Sequence, residues 1–270
     1  GRPQRAGRAL RPAGMTIRVN TLRTTPEQLQ KKLAAEGVSA VPGRKAEHAL
    51  YLEETGDIQR LESFQEGLFY VQDEASMIAV SRLAPQKGEN VLDVCSAPGG
   101  KSTYMAELMQ NSGAVVSLDI SGRRLAELDE SSRRLGIRII RKVVQDARDL
   151  SSLRDFQADR VLVDAPCSGL GVIRRKPEIK WAASPEEIPA LSGLQQQILF
   201  ASAACVKPGG ILMYCTCTLS QPENEEVTSG FLRRSPAFRQ VDSQKLFPDA
   251  DGTDGFYFAV FRRDDAHAGG

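Results

Sequence analysis

The sequence predicts an α/β chain: a parallel sheet with helices on both faces, preceded by a small α+β unit. Three observations carry this. From Glu89 onward, short apolar runs alternate with helical patterns, the order that builds a parallel sheet. Five of those runs end in a residue capable of chemistry. Before Glu89, by contrast, the apolar segments are few and short, and a single helix stands between them.

The elements follow in order. Residues 1–15, rich in Gly, Pro and Arg, read as a basic linker. The unit over 16–72 starts with a strand at Thr16 to Val19. Thr25-Pro26-Glu27 then opens a helix with proline in its first turn, and Gly37 ends it. Short strands follow at Ala49 to Leu52 and Leu68 to Val71. The larger domain, 73–265, has its first run at Val91 to Val94, then a loop from Cys95 to Lys101 and a helix. A second run, Ala114 to Leu118, ends at Asp119, and leucines 125, 128 and 135 mark one face of the next helix, closed by Gly136. Ile137 to Val144 is a third run, ending near Asp146, and Val161 to Val163 a fourth, ending at Asp164. Leu191 to Val206 reads as a helix, Lys207 to Gly210 as a turn, and Ile211 to Tyr214 as the fifth run, ending at Cys215 and Cys217. Pro222-Glu223 opens a further helix, and Gly255 to Phe261 is an aromatic strand.

Composition excludes several classes. At 41% hydrophobic and net charge +1, disorder is ruled out as the main state. Five cysteines do not make a disulfide scaffold, so a reduced, cytoplasmic protein is expected. The longest apolar stretch without charge, Ile188 to Val206, carries Pro189, Gly193 and three glutamines, and is not a membrane span. Charge is uneven along the chain. Arg2, Arg5, Arg8, Arg11, Arg18 and Arg23 precede the first acid, Glu27, and Arg174, Arg175, Lys176 and Lys180 surround the lone Glu178. Both clusters fit phosphate contact. The abrupt basic start, without an early methionine, reads as a piece of a longer protein.

In an open parallel sheet, ligands bind beyond the carboxyl ends of the strands. Those ends carry the Cys95–Lys101 loop, Asp119, Asp146, Asp164 with Cys167, and Cys217. Gly100-Lys101-Ser102 imitates the end of a phosphate-binding loop, but that motif needs a glycine where Cys95 stands. What remains is a tight glycine turn at a helix N-terminus, open to close approach by a ligand. Asp119 is placed to accept from two ribose hydroxyls. Asp146 can accept from an adenine amino group, or simply cap a helix before Ala147. Cys205, inside an apolar helix, reads as a small buried hydrophobe. Cys167 and Cys217 lie in polar loops after strands. Zinc is not expected: Cys215 and Cys217 make half a site, and His48 and His267 are far from them in sequence.

Three segments then carry a resemblance: DVCSAPGGKS from Asp93, DAPCSGLGVIRRKPEIKW from Asp164, and YCTCTLSQPENEEV from Tyr214. They resemble the RNA 5-methylcytosine methyltransferases of the Sun/Fmu/Nop2 superfamily, nearest to the bacterial RsmB branch, over roughly residues 16–263. The resemblance implies a Rossmann-like S-adenosylmethionine-dependent methyltransferase sheet, with residues 16–72 as an RNA-binding subdomain. It assigns Cys95, Ser96, Ala97, Pro98, Gly99, Gly100 and Lys101 to the S-adenosylmethionine turn, Asp119 to the ribose, Arg124 to the cofactor side and Asp146 to the adenine. Asp164 falls beside the methionine group and target base. Cys217 matches the nucleophile and Cys167 the cysteine that helps release product. Arg174, Arg175, Lys176 and Lys180 are expected to meet RNA at the mouth of the site. Thr218 stands where the family usually has serine, and the branch's helical, NusB-like upstream domain is not in this sequence.

The chemistry accounts for these residue types. Cytosine C5 is a poor nucleophile, and thiolate addition at C6 turns the ring into an enamine able to attack a sulfonium methyl. Cysteine combines thiolate near neutral pH with high nucleophilicity. A second group must take the C5 proton, and Asp164 can stabilise the N3/N4 edge of the ring. The expected activity is therefore methyl transfer to cytosine C5 in RNA, with small-subunit (16S) ribosomal RNA foremost, and no metal or membrane partner. Transfer RNA as the substrate, or a non-catalytic RNA-binding module on this fold, are the alternatives.

Overall fold

The computed structural model describes residues 15–53, 56–153, 155–175, 177–179 and 185–265. Two sheets are present. The small one joins β1 (Met15–Val19), β2 (Ser39–Pro42), β3 (Ala49–Glu53) and β4 (Phe69–Val71) in the order β2-β3-β1-β4, with every pairing antiparallel. Helix α1 (Pro26–Ala35) lies on it. Its start is fixed by a capping box, the Thr25 side chain accepting from the Gln28 N–H and the Gln28 side chain reaching back to the Thr25 backbone. Leu29 and Leu33 pack on Ile17, Val19, Leu50 and Phe69 to close a separate core.

Helix α2 (Glu74–Leu83), capped by Asp73, leads into the large sheet. There follow β5 (Asn90–Val94), α3 (Gly100–Leu108), β6 (Ala114–Asp119), α4 (Gly122–Leu135), β7 (Ile140–Val144) and β8 (Ala158–Asp164). After these come α5 (Ile188–Ala203), β9 (Val206–Thr216), α6 (Glu225–Arg234), β10 (Phe238–Leu246) and β11 (Phe256–Arg263). The order is β10-β11-β9-β8-β5-β6-β7; the last five are mutually parallel, while β11 and β10 run antiparallel. The period-2 alternation of each strand serves two cores. Leu92, Val94, Val161, Val163, Leu212 and Tyr214 face α5 and α6. Val91, Leu162 and Met213 face α2 and α3. The expected Rossmann-like α/β architecture behind a small α+β unit is the one observed. Strand order reverses between β8 and β5, so the loop after β5 opens at the switch point where such sheets bind ligands.

Several elements depart from the sequence reading. The helix read as Leu191 to Val206 ends at Ala203, and Val206 already pairs with Ala158. The Lys207–Gly210 turn is a bulge inside β9, where the register steps from Ala158↔Val206 to Arg160↔Ile211 and Gly209 takes φ +75°. β7 begins at Ile140 rather than Ile137. β2, α2 and β10 escaped the pattern altogether. β2 and β10 are edge strands with few buried side chains, which leaves little apolar signal. Among the described residues, no helix is long and apolar enough to cross a membrane.

Alternation also turns Asp93, near the end of central β5, toward α3. It is fully buried and accepts from Ser102 Oγ, which in turn accepts from Ser117 Oγ at 2.8 Å. Its second oxygen has no hydrogen-bond partner. Burial pushes its carboxyl up to about 7 from an ordinary 3.8, against the Ser102 hydrogen bond. A folded-state value above the unfolded one favours the protonated form. Its stabilising contribution is complete below pH 3.8 and is lost as pH rises through about 7. Wild type should therefore lose about 1.4 kcal/mol per pH unit relative to Asp93→Asn across that window. Urea unfolding of both proteins at a series of pH values reads this; a difference that stays constant with pH contradicts it.

Candidate active site

The turn after β5 is held from three sides. Cys95 adopts φ +61°, and Ser96 donates its N–H to the Leu118 carbonyl at 2.9 Å. Ala97 donates its N–H to Asp119 Oδ2 at 3.1 Å, and Arg124 donates to the Ala97 carbonyl. Gly99 needs to be glycine: at φ +105°, a Cβ would stand 2.2 Å from Leu128 Cδ1. Asp119 is 3% exposed, accepts also from the Ser121 N–H at 2.9 Å and lies 3.7 Å from the Arg124 guanidinium. One strand over, Gln145 donates its N–H to the Asp119 carbonyl, so the ends of β6 and β7 lie side by side. Asp146 follows there. Its carboxylate caps a turn by accepting from the Arg148 N–H at 2.9 Å, and the Arg148 side chain grips it and holds it below the usual carboxylate range. No helix starts at Ala147.

On the other side of β5 are the ends of β8 and β9. The sulfurs of Cys167 and Cys217 approach to 3.4 Å. Two thiols this close share their protons unequally. The hydrogen bond with Cys167 draws Cys217 below the ordinary thiol range, against burial and the nearby Asp164 charge; Lys101 helps. Cys167 is pushed well up, by that same hydrogen bond and by burial. Cys95 is pushed up to about 12 by burial and by the charges of Asp164, Asp119 and Asp93, which leaves it an inert thiol. Buried Cys215 donates to Asp164 at 3.4 Å and is pushed up by burial and that carboxylate.

Lys101 joins the two halves. Its ammonium donates to Asp164 Oδ2 at 2.7 Å and lies 5.4 Å from the centre of the Phe256 ring. Burial works against the ammonium, but the Asp164 carboxylate outweighs it and raises Lys101 above the usual lysine range.

A second frame of hydrogen bonds fixes the two cysteine loops. Fully buried Glu223 accepts from the Ser168 N–H at 2.8 Å and from Ser168 Oγ at 2.6 Å, beside Cys167. Asn224 accepts from Thr216 Oγ1 at 2.6 Å and donates to the Thr218 carbonyl at 3.0 Å, on both sides of Cys217. Ser168 and Thr218 hydroxyls meet at 3.0 Å. The backbones touch too: Gly171 donates its N–H to the Cys217 carbonyl at 2.9 Å, and a Cβ on Gly171 would stand 1.9 Å from the Gly255 carbonyl oxygen. Glu223 and Asn224 were legible only as the start of a helix. Their signal was the Gln221-Pro222-Glu223-Asn224 run after Ser220, inside the third motif.

The basic residues after Cys167 are paired inside the protein where the structure describes them. Arg174 and Arg175 are not free cations. Both pair with Asp254, at 2.7 and 2.8 Å, and with Asp73, at 3.4 and 2.6 Å. Arg174 also donates to the Gly252 carbonyl and Arg175 to Thr16. Their charge is matched inside the protein, so they brace the loop after Cys167 against the segment before β11, the cap of α2 and β1. Lys176 and Lys180 lie outside the described residues, as do Arg2, Arg5, Arg8 and Arg11. Arg18 is fully buried, and Arg23 donates to the Glu66 carbonyl. Among the described residues, no cluster of three or more His, Cys, Asp or Glu is placed to hold a metal.

Comparison with known proteins fits this geometry. The family described as 16S rRNA methyltransferase RsmB/F matches residues 80–262, and the RsmF/B-like, ferredoxin-like domain matches residues 8–59. The chain is 39% identical to the probable ribosomal RNA small subunit methyltransferase B of Bacillus subtilis, over 93% of this chain and 60% of that protein. It is 40% identical to the ribosomal RNA small subunit methyltransferase B of Vibrio cholerae, over 93% of this chain and 59% of that protein. The chain thus spans about 60% of the length of these curated relatives. Among solved structures, a methyltransferase homologue from Pyrococcus horikoshii superposes with TM-score 0.84 at 29% identity, over 96% of this chain and 89% of that one. NSun6 from the same organism, solved with SFG, shares the fold at TM-score 0.88 and 23% identity, over 96% of this chain and 93% of that one. A match over residues 80–262, through every strand of the site, makes this chain a member of the RsmB/F methyltransferase family.

Proposed function

We propose that this chain transfers a methyl group from S-adenosylmethionine to C5 of a cytosine in RNA, through a covalent bond between Cys217 and C6. The observation that carries it is the thiol pair: two sulfurs 3.4 Å apart, Cys217 drawn down and Cys167 pushed up, within reach of the turn after β5. The names of the curated relatives favour small-subunit ribosomal RNA as the substrate.

The turn suits the cofactor. Ser96 Oγ is buried there without a hydrogen-bond partner, and Asp119 presents a buried carboxylate beside it. Cys95 through Lys101, including Ala97, Pro98, Gly99 and Gly100, would line the methionine and ribose side. Asp119 would accept from the ribose hydroxyls, Arg124 would flank them, and Asp146 would meet the adenine. Bound S-adenosylmethionine supplies an electrophilic methyl on a sulfonium.

The protein's own groups do the rest. Cys217 thiolate bonds to C6, and the displaced π pair makes C5 nucleophilic. C5 then takes the methyl, whose bonding pair leaves with the cofactor sulfur. Asp164, steadied by Lys101, accepts a hydrogen bond from the amino edge of the base. Cys167, having passed its own proton to solvent, takes the C5 proton. The C5–H pair closes the C5–C6 double bond, and the C6–S bond breaks back onto Cys217. One proton is released per methyl transferred, and both thiols return to their starting states.

Removing the attacking atom should end every later step. Cys217→Ala is expected to lose both methyl transfer from labelled cofactor and any RNA–protein adduct. Cys167→Ala should still attack and methylate but release slowly, so the adduct accumulates on a denaturing gel. An adduct formed by the Cys217 variant and not by the Cys167 variant would reverse the roles.

The lowered Cys217 gives a second, substrate-free expectation. Between about pH 6 and 8, iodoacetamide should modify Cys217 well before Cys167, Cys95 or Cys215, because only a thiolate alkylates readily. Peptide mass spectrometry over a time course reads the order, and prior modification of Cys167 contradicts the assignment.

A further inference from the structure

Arg18 lies in β1 of the small sheet, yet its side chain belongs to the other domain. Its neighbours Ile17 and Val19 close the small core, so alternation drives Arg18 out through the opposite face, against α3. It is fully buried. A guanidinium has five N–H donors, and all five are used. Nε and Nη2 grip Glu107 at 3.1 and 2.8 Å. Nη2 also reaches Thr103 Oγ1 at 3.0 Å, while Nη1 donates to Gln72 and to the Gly100 carbonyl, the latter at 2.7 Å. The rings of Tyr104 and Tyr70 flank the cation, at 4.8 and 5.2 Å.

Two of the five donors reach the first turn of α3, at Gly100 and Thr103. Gly100 is its first residue, and Thr103 donates its hydroxyl to the Gly99 carbonyl at 2.9 Å. A Cβ at Gly100 would lie 3.1 Å from the Tyr70 ring and 3.3 Å from Gln72 Nε2, so the end of the small sheet is packed against the turn itself. Lys101, which holds Asp164, sits between the two residues that Arg18 touches.

We propose that Arg18 is a positioning residue for the cofactor turn: its guanidinium, beside the packing of Tyr70 and Gln72, sets where Gly99 to Lys101 stand at the end of β5. The inference rests on the turn's role as the S-adenosylmethionine site. Cofactor affinity then depends on a residue outside the sheet that binds the cofactor, and the two domains act as one site.

Two substitutions test this. Arg18→Lys keeps the charge opposite Glu107 but has three donors, too few to hold the turn as well. Arg18→Met with Glu107→Leu replaces both charges with apolar groups, a change that buried ion pairs tolerate, and removes the anchor entirely. Calorimetry with S-adenosylhomocysteine should give a Kd raised about tenfold or more in each, the scale of a lost charged hydrogen bond. Thermal unfolding should stay cooperative, and RNA affinity measured without cofactor should remain within about twofold of wild type, below the scale of one lost hydrogen bond. Either variant, folded and binding S-adenosylhomocysteine as tightly as wild type, overturns the proposal. Wild type that fails to bind S-adenosylhomocysteine overturns instead the cofactor reading on which it rests.

Discussion

The site depends on one ion pair, Lys101 with Asp164. A carboxylate at the end of β8 and an ammonium from the first turn of α3 meet at 2.7 Å across the switch point of the sheet. Each would be costly to bury alone. Together they fix the distance between the turn after β5 and the loops that carry the two cysteines. Lys101 also favours negative charge at Cys217, whereas Asp164 opposes it. The same pair therefore bears on both the geometry and the reactivity of the site.

Around that pair, structure and chemistry divide the residues cleanly. Glu223 and Asn224 are consumed in holding Ser168, Thr216 and Thr218, so the cysteines between them are positioned by neighbours that have no free hydrogen-bonding role. Arg174 and Arg175 likewise pair with Asp73 and Asp254. What remains for chemistry is small: two thiols 3.4 Å apart, and a carboxylate with a fixed cation behind it. Cys95, though it stands in the turn, is too strongly disfavoured as a thiolate to compete.

The strand ends were legible because each lies directly after a short apolar run, and position in a parallel sheet follows from that alone. Asp119, Asp164, Cys167 and Cys217 could be placed at one edge without coordinates. The proximity of the two sulfurs could not, since β8 and β9 become neighbours only through sheet order. Charge was the least legible property. Arg174 and Arg175 read as exposed because the acids that neutralise them lie 79 to 102 residues away in sequence. Arg18 read as one of an N-terminal basic run, and its partner Glu107 is 89 residues distant. Edge strands such as β10 were lost for a different reason, because solvent on their outer side erases the apolar alternation.

The central claim is that Cys217, not Cys167, attacks the base. RNA carrying 5-fluorocytosine tests it most directly, because a fluorine at C5 cannot be removed as a proton and the covalent state is trapped. After incubation with cofactor, digestion and mass spectrometry would identify the modified cysteine. The account predicts the nucleotide on the peptide containing Cys217. Its appearance on Cys167, or the absence of any adduct while ordinary RNA is methylated, would contradict it.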